Sequence, residues 1–178
     1  MTWLDVFYQW QAELLYNLGF YKIAHQMTFL KFFDSIDFYY LLLILFFIFY
    51  GKRWGMAYFF LDMCCLISVF FLKILFLQPR PFAYISVLQA VPATSYGFPS
   101  GAALASICIC WLILEANERS KKAWAFSISL FVLMNVSRLV LGVHFFSDLV
   151  GGWVFGLVLV AIFKRCKSLI FPGQYVIM

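Results

Sequence analysis

Residues 137 to 148 read SRLVLGVHFFSD. His144 and Asp148 stand four apart, the spacing that puts both on one face of a helix beginning near residue 145 or slightly before. A carboxylate so placed accepts the imidazole Nδ1 proton, fixes the tautomer and leaves Nε2 as a nucleophile or base. Arg138 shares a helical face with Asn135 and Gly142, near the end of an apolar run where an unpaired guanidinium is expensive, so it should meet an anion. Two more cations, Lys73 and Arg80, sit in KILFLQPRP, where Pro79 and Pro81 fix the backbone from which the arginine side chain extends. A third stretch, GFPSGAALAS at residues 97 to 106, sets Pro99, Ser100 and Gly101 at the start of an apolar helix. Ser100 can cap that helix, Gly101 allows close approach to the backbone, and the unpaired N–H groups of the first turn attract anions.

Each feature alone has a plainer reading. A lysine near a helix end snorkels to the interface, a lone histidine is usually a core residue, and PSG is an ordinary N-cap. Together they make three cations, a helix N-terminus with a hydroxyl, and a His/Asp pair. That set suits a phosphoryl group, which carries about −1.5 to −2 charge and several acceptor oxygens. A histidine beside such a cradle implies phosphoryl transfer through a phosphohistidine, with positioning and charge stabilisation supplying most of the catalysis. No carboxylate cluster or Cys/His set suggests a metal or other cofactor, since Asp34, Asp37 and Asp62 look dispersed and Asp62, mid-span, reads as structural. The five cysteines form no CxxC pattern and read as packing residues.

These residues must be positioned by apolar helices. Of the 178 residues, 65% are hydrophobic and 12% charged, against about 25% charged in a soluble domain. The chain reads as all-α, a single integral membrane domain over residues 1–178, with no linker to divide it. Five transmembrane helices are expected, at about 36–50, 55–77, 101–115, 123–142 and 147–163, forming a core over 36–163. Residues 1–35 mix Trp3, Phe7, Trp10, Leu14 and Leu18 with polar residues at helical spacing, which reads as amphipathic helices in the interface. Gly152 and Gly156 are spaced for a close helix contact within or between chains.

The net charge of +5 is gathered in Lys52/Arg53, Arg119/Lys121/Lys122 and Lys164/Arg165/Lys167. Such clusters mark cytoplasmic loops and exclude nucleic acid as the natural partner. All three agree if the N-terminus and the polar segments around residues 78–100 and 142–147 lie outside, with a cytoplasmic tail at 164–178. The chemistry-bearing residues then share the outer face, an arrangement that argues against a channel.

In KILFLQPRP, PSGA and SRLVLGVHFFSD the chain resembles the type 2 phosphatidic acid phosphatase (PAP2) superfamily, whose motifs are KxxxxxxRP, PSGH and SRxxxxxHxxxD. The resemblance implies a metal-independent hydrolase in a membrane helical bundle, acting on a lipid phosphate or diphosphate that enters sideways from the bilayer. It also implies phosphate binding by Lys73, Arg80, Ser100, Gly101 and Arg138, a His144 nucleophile and an orienting Asp148. Expected substrates are undecaprenyl diphosphate, phosphatidylglycerophosphate or a related phospholipid phosphate, at the outer, periplasm-facing side of a bacterial plasma membrane.

The departure is Ala102, where the family has the histidine that protonates the leaving oxygen. His25, the only other histidine, reads as interfacial. Three readings of Ala102 stand: an engineered, acid-deficient variant of a phosphatase, a natural lipid-phosphate binding protein without turnover, or an enzyme for a substrate with a good leaving group. Phosphate leaving from a diphosphate has a pKa of about 6, against roughly 15 for an alkoxide comparable to hydroxide. Transfer of the phosphoryl group to another lipid would start from the same phosphohistidine.

Overall fold

The computed structural model describes residues 2–170, and every regular element among them is helical. In chain order these are α1 (Trp3–Asn17), α2 (Tyr21–Ala24), a 3-10 segment (Thr28–Asp34), α3 (Ile36–Phe76), two short 3-10 turns (Pro81–Ala83 and Ser86–Leu88), α4 (Gly101–Ala116), α5 (Lys121–Val140) and α6 (Phe146–Ile170).

Helix α3 is two antiparallel arms, residues 36–50 and 52–76, joined at Gly51, whose φ of 77° and ψ of 178° break the helical path. A side chain disfavours that φ, which is why a glycine can reverse the chain here without a loop. The Tyr58 hydroxyl donates to the Tyr39 carbonyl at 3.1 Å, and the Phe46 and Tyr58 rings are 5.0 Å apart. In an unbroken helix Tyr39 and Tyr58 would be about 28 Å apart. The first two expected spans are these arms, and the second begins three residues earlier than expected because no connecting loop is needed.

By length and composition, Ile36–Ala83, Lys121–Val140 and Phe146–Cys166 can each cross a membrane, and the first contains both arms. The protein is multi-pass. Helix α4 has 16 residues, about 24 Å of helix, and is enclosed by α3, α5 and α6. Helix α6 continues past the expected end at 163 to Ile170; residues 171–178 of the expected tail lie outside the described residues.

Close packing of α4 on α6 fixes the site. A Cβ on Gly152 would lie 2.7 Å from both the Ala103 Cβ and the Ser100 carbonyl, and one on Gly156 would lie 2.9 Å from the Leu104 carbonyl. The glycine contact is therefore within the chain. Asn135 Nδ2 donates to Ser106 Oγ at 3.0 Å and Trp153 Nε1 donates to Asn135 Oδ1 at 2.9 Å. Asn135 thus ties α4, α5 and α6 together.

Helix α1 starts from a capping box made by Thr2 and Asp5. Its Tyr8, Ala12 and Leu15 pack against Leu88, Leu139, Phe145 and Leu149, while Trp3, Phe7 and Trp10 stay exposed. The amphipathic reading holds, with one addition. Gln11 is buried, accepts the Ser147 N–H and donates to Ser147 Oγ, both at 3.1 Å, which clamps α1 to the first turn of α6.

Candidate active site

The chain leaves α5 through Gly142, at φ 65°, where a Cβ would lie 1.9 Å from the Leu88 carbonyl. Residues 143–145 then lead into α6. His144 sits just ahead of the helix, and Asp148 is in its first turn. Asp148 Oδ2 is 3.2 Å from His144 Nδ1 and accepts the Phe145 N–H at 2.9 Å. One carboxylate therefore satisfies the helix start, as an acid three residues past a cap does, and orients the imidazole. The Asp148 carbonyl also accepts the Ser100 N–H at 3.0 Å, so the PSG turn is hung from the same helix turn.

His144 is almost fully buried. Burial, with Arg80, Lys73 and Arg138 adding to it, holds its pKa well below the usual histidine value, against a smaller opposing push from a backbone hydrogen bond with Gly97. The imidazole is neutral at neutral pH, and with its proton on Nδ1 facing Asp148 the free lone pair is on Nε2.

Lys73 and Arg80 converge on one loop. Lys73 Nζ donates to Ser95 Oγ at 3.2 Å and the Tyr96 carbonyl at 2.8 Å. Arg80 donates to the Ser95 carbonyl at 2.7 Å, the Val143 carbonyl at 2.8 Å and Ser95 Oγ at 3.0 Å. These bonds use two of the lysine's three donors and three of the arginine's five, which leaves the others open to a bound anion. Lys73, Arg80, Ser95, Gly101 and His144 all line one cavity of about 310 Å³. The cavity wall continues through Val69, Leu66, Cys65 and Asp62 along α3, through Ala105 on α4, and includes Asp34, Ile36 and Tyr39.

The remaining expected residues are close by but do not line this cavity. The fully buried Ser100 accepts the Ala103 N–H at 3.3 Å and acts as an N-cap. Arg138 is buried, bonded to Ser137 Oγ at 3.1 Å and the Leu30 carbonyl at 3.0 Å, with Nη1 2.8 Å from Asp34 Oδ2. The anion that Arg138 demands is Asp34, which the sequence had grouped with dispersed acids. Asp62, taken as structural, lines the cavity. The Ala102 methyl is buried in the core with Phe38, Cys65 and Met134, between the cavity-lining Gly101 and Ala105. His25 is exposed at the end of α2.

Three contributors were not singled out in the sequence: Asp34, Ser95 and Gly97. A Cβ at Gly97 would lie 2.9 Å from the Pro79 carbonyl and 3.1 Å from Asp148 Oδ2, so the loop can close on the site only with glycine there. Ser95 and Gly97 both lie in the polar stretch before PSG, which was the available signal for them.

The family model of the PAP2 superfamily matches residues 54–171. The chain belongs to the PAP2 superfamily. Among solved structures, it is similar to a transmembrane PAP2-type phosphatidylglycerolphosphate phosphatase from Bacillus subtilis, with a TM-score of 0.75, 19% identity, and coverage of 98% of this chain and 90% of that one. That likeness is one of fold. No curated protein sequence matches the chain. The PAP2 match takes in the second arm of α3 and all of α4 and α5, whereas Gln11 and Asp34 precede it.

Proposed function

We propose that this PAP2 protein is a metal-independent lipid phosphatase working through a phosphohistidine on Nε2 of His144. The observation that carries the reading is the His144 Nδ1–Asp148 Oδ2 contact of 3.2 Å, with the imidazole on the wall of the cavity that Lys73 and Arg80 also line. Phosphate oxygens would take the open N–H groups of Lys73 and Arg80 and the N-terminal end of α4 at Gly101, with Arg138 adding charge from behind. Nε2 attacks phosphorus in line, the bond to the leaving oxygen breaks, and Asp148 stabilises the imidazolium character that develops. Water then attacks the phosphohistidine and releases inorganic phosphate.

Lys52/Arg53, Arg119/Lys121/Lys122 and Lys164/Arg165 lie at the opposite end of the bundle, which supports a cytoplasmic position for that end and an outer, periplasm-facing site in a bacterial plasma membrane. The Bacillus subtilis fold neighbour favours phosphatidylglycerophosphate among the substrates, with undecaprenyl diphosphate and other phospholipid phosphates beside it. Ala102 supports the second reading, a lipid-phosphate binding protein, and a transferase to another lipid shares the phosphohistidine.

The deciding experiment is phosphate release from a panel of lipid monophosphates and diphosphates by the chain with alanine and with histidine at 102. Release that disappears in His144→Ala is expected, with histidine at 102 raising monophosphate turnover by about 10²-fold if an acid is simply missing. Binding without release in both forms would establish the binding protein instead. Phosphoryl transfer to an added lipid alcohol in preference to water would establish the transferase.

A further inference from the structure

We propose that Asp34 is the proton donor and acceptor that this site uses in place of a histidine at position 102. The proposal rests on the phosphatase reading above and deepens it.

Two carboxylates line the cavity besides the groups already assigned, Asp34 and Asp62. Asp62 lies eleven residues before Lys73 on the same arm of α3, about 16 Å further along the helix. Asp34 is at the other end, beside the cations. Its Oδ2 is 2.8 Å from Arg138 Nη1 of α5, and its side chain is 37% exposed where that of Arg138 is 3% exposed. Lys73 and Arg80 both have Asp34 among their charged neighbours, and Tyr39 of the first arm of α3 lines the same cavity. Asp148 is engaged by His144 and Phe145. Among the described residues, Asp34 is thus the one acid that shares the cavity with His144, lies among the proposed phosphate-binding cations and holds no imidazole.

In the resting site Asp34 is the counter-ion of Arg138. A phosphate ester, whose second pKa is about 6, brings a second anion and, as the monoanion, a proton into the same cavity. Two anions sharing a site hold one proton between them, and the Asp34 carboxylate is placed to relay that proton. When His144 Nε2 bonds to phosphorus and the bond to the ester oxygen breaks, Asp34 gives this proton to the leaving oxygen, which departs as the neutral alcohol. In the second half the Asp34 carboxylate takes a proton from water as the water oxygen bonds to phosphorus and the P–N bond breaks. The phosphate takes that proton from Asp34 and leaves as the monoanion, so that Asp34 is again a carboxylate and rejoins Arg138.

A general acid matters most when the leaving oxygen is most basic. The test compares a long-chain alkyl phosphate with a nitrophenyl phosphate carrying the same chain, whose nitrophenolate leaves without a proton. Rates at saturation are read for the wild-type chain and for Asp34→Asn. The expected result is a loss of about 10²-fold or more on the alkyl ester and little change on the nitrophenyl ester. Equal losses on both esters, or none on either, overturn the proposal, since support of Arg138 alone would not depend on the leaving group. Should Asp34→Asn fail to fold, the wild-type chain still decides. Rates that fall steeply across alkyl and aryl esters as the leaving oxygen becomes more basic show that no acid acts, and overturn the proposal; nearly level rates support it. A wild-type chain that hydrolyses neither ester, or whose hydrolysis survives His144→Ala, overturns the phosphatase reading and this proposal together.

Discussion

The two ends of the bundle both collect cations, and they hold them in opposite ways. At the end bearing Gly51, Lys52, Arg53, Lys121, Lys122, Lys164 and Arg165 are exposed; Arg53 and Lys164 lie over Trp54 and Trp111, and Arg119 pairs with Glu115 in the open. At the other end Arg80 and Arg138 are buried, and with Lys73 they are held by carbonyls, a serine hydroxyl and a carboxylate around a cavity. Exposed pairs of the first kind contribute little energy and report topology. Buried cations of the second kind are costly to leave uncompensated, which is why each is held by carbonyls, a hydroxyl or a carboxylate.

The strongest way to break this contrast is at the proposed nucleophile, His144. His144→Ala should lower phosphate release by about 10⁴-fold or more, measured with the best lipid in the panel, and residual turnover near wild type would remove the site from this end. Arg80→Ala should cost about 10²–10³ in kcat, as loss of a preorganised charge contact does. Gln11→Ala removes the clamp on Ser147 and should reduce stability by about 1 kcal/mol, visible as a lower Tm in detergent.

Changing pH sharpens the contrast. Because burial and the neighbouring cations lower the His144 pKa, the imidazole stays neutral as pH falls through the ordinary histidine value of about 6.5. The kcat/KM of the free enzyme should therefore lose less than about twofold between pH 7.5 and 6, where an ordinary imidazole would lose most of its neutral form. The same shift works against the fold in acid. Stability contributed by the neutral, buried imidazole is complete above about 6.5 and declines as pH falls further, because the unfolded chain takes up the proton first. At the far end, the double substitution Lys52→Gln/Arg53→Gln should leave turnover unchanged and alter only the fraction of chains inserted in the correct orientation, read by protease accessibility.

How far the sequence reached depended on how near the partners lie along the chain. The His144–Asp148 pair, the PSG cap and the apolar spans were legible because each is a local pattern with a fixed spacing. The reversal at Gly51 was read as a short loop, since a single glycine in an apolar run does not announce its φ. The demand of Arg138 for an anion was legible, but its partner was not, because Asp34 is 104 positions away. Gln11 reaches Ser147 across 136 positions, and nothing local in either segment marks that contact. Packing also corrected a role: Asn135, read beside Arg138, holds three helices together away from the cavity.

The shortness of α4 has one more consequence. At about 24 Å it falls roughly 6 Å short of a hydrocarbon layer of about 30 Å. Its far end leads straight into the exposed Glu118, Arg119 and Ser120, which belong in water. With that end in water, the deficit would fall at Ser100 and Gly101, and the floor of the cavity would lie beneath the membrane surface. A lipid needs only to settle a few ångströms in its own leaflet to bring its phosphate there, whereas a sugar phosphate or nucleotide would have to leave water for the headgroup layer. The depth of one helix end would thus make the bilayer itself a solubility filter, before any side chain inspects the substrate.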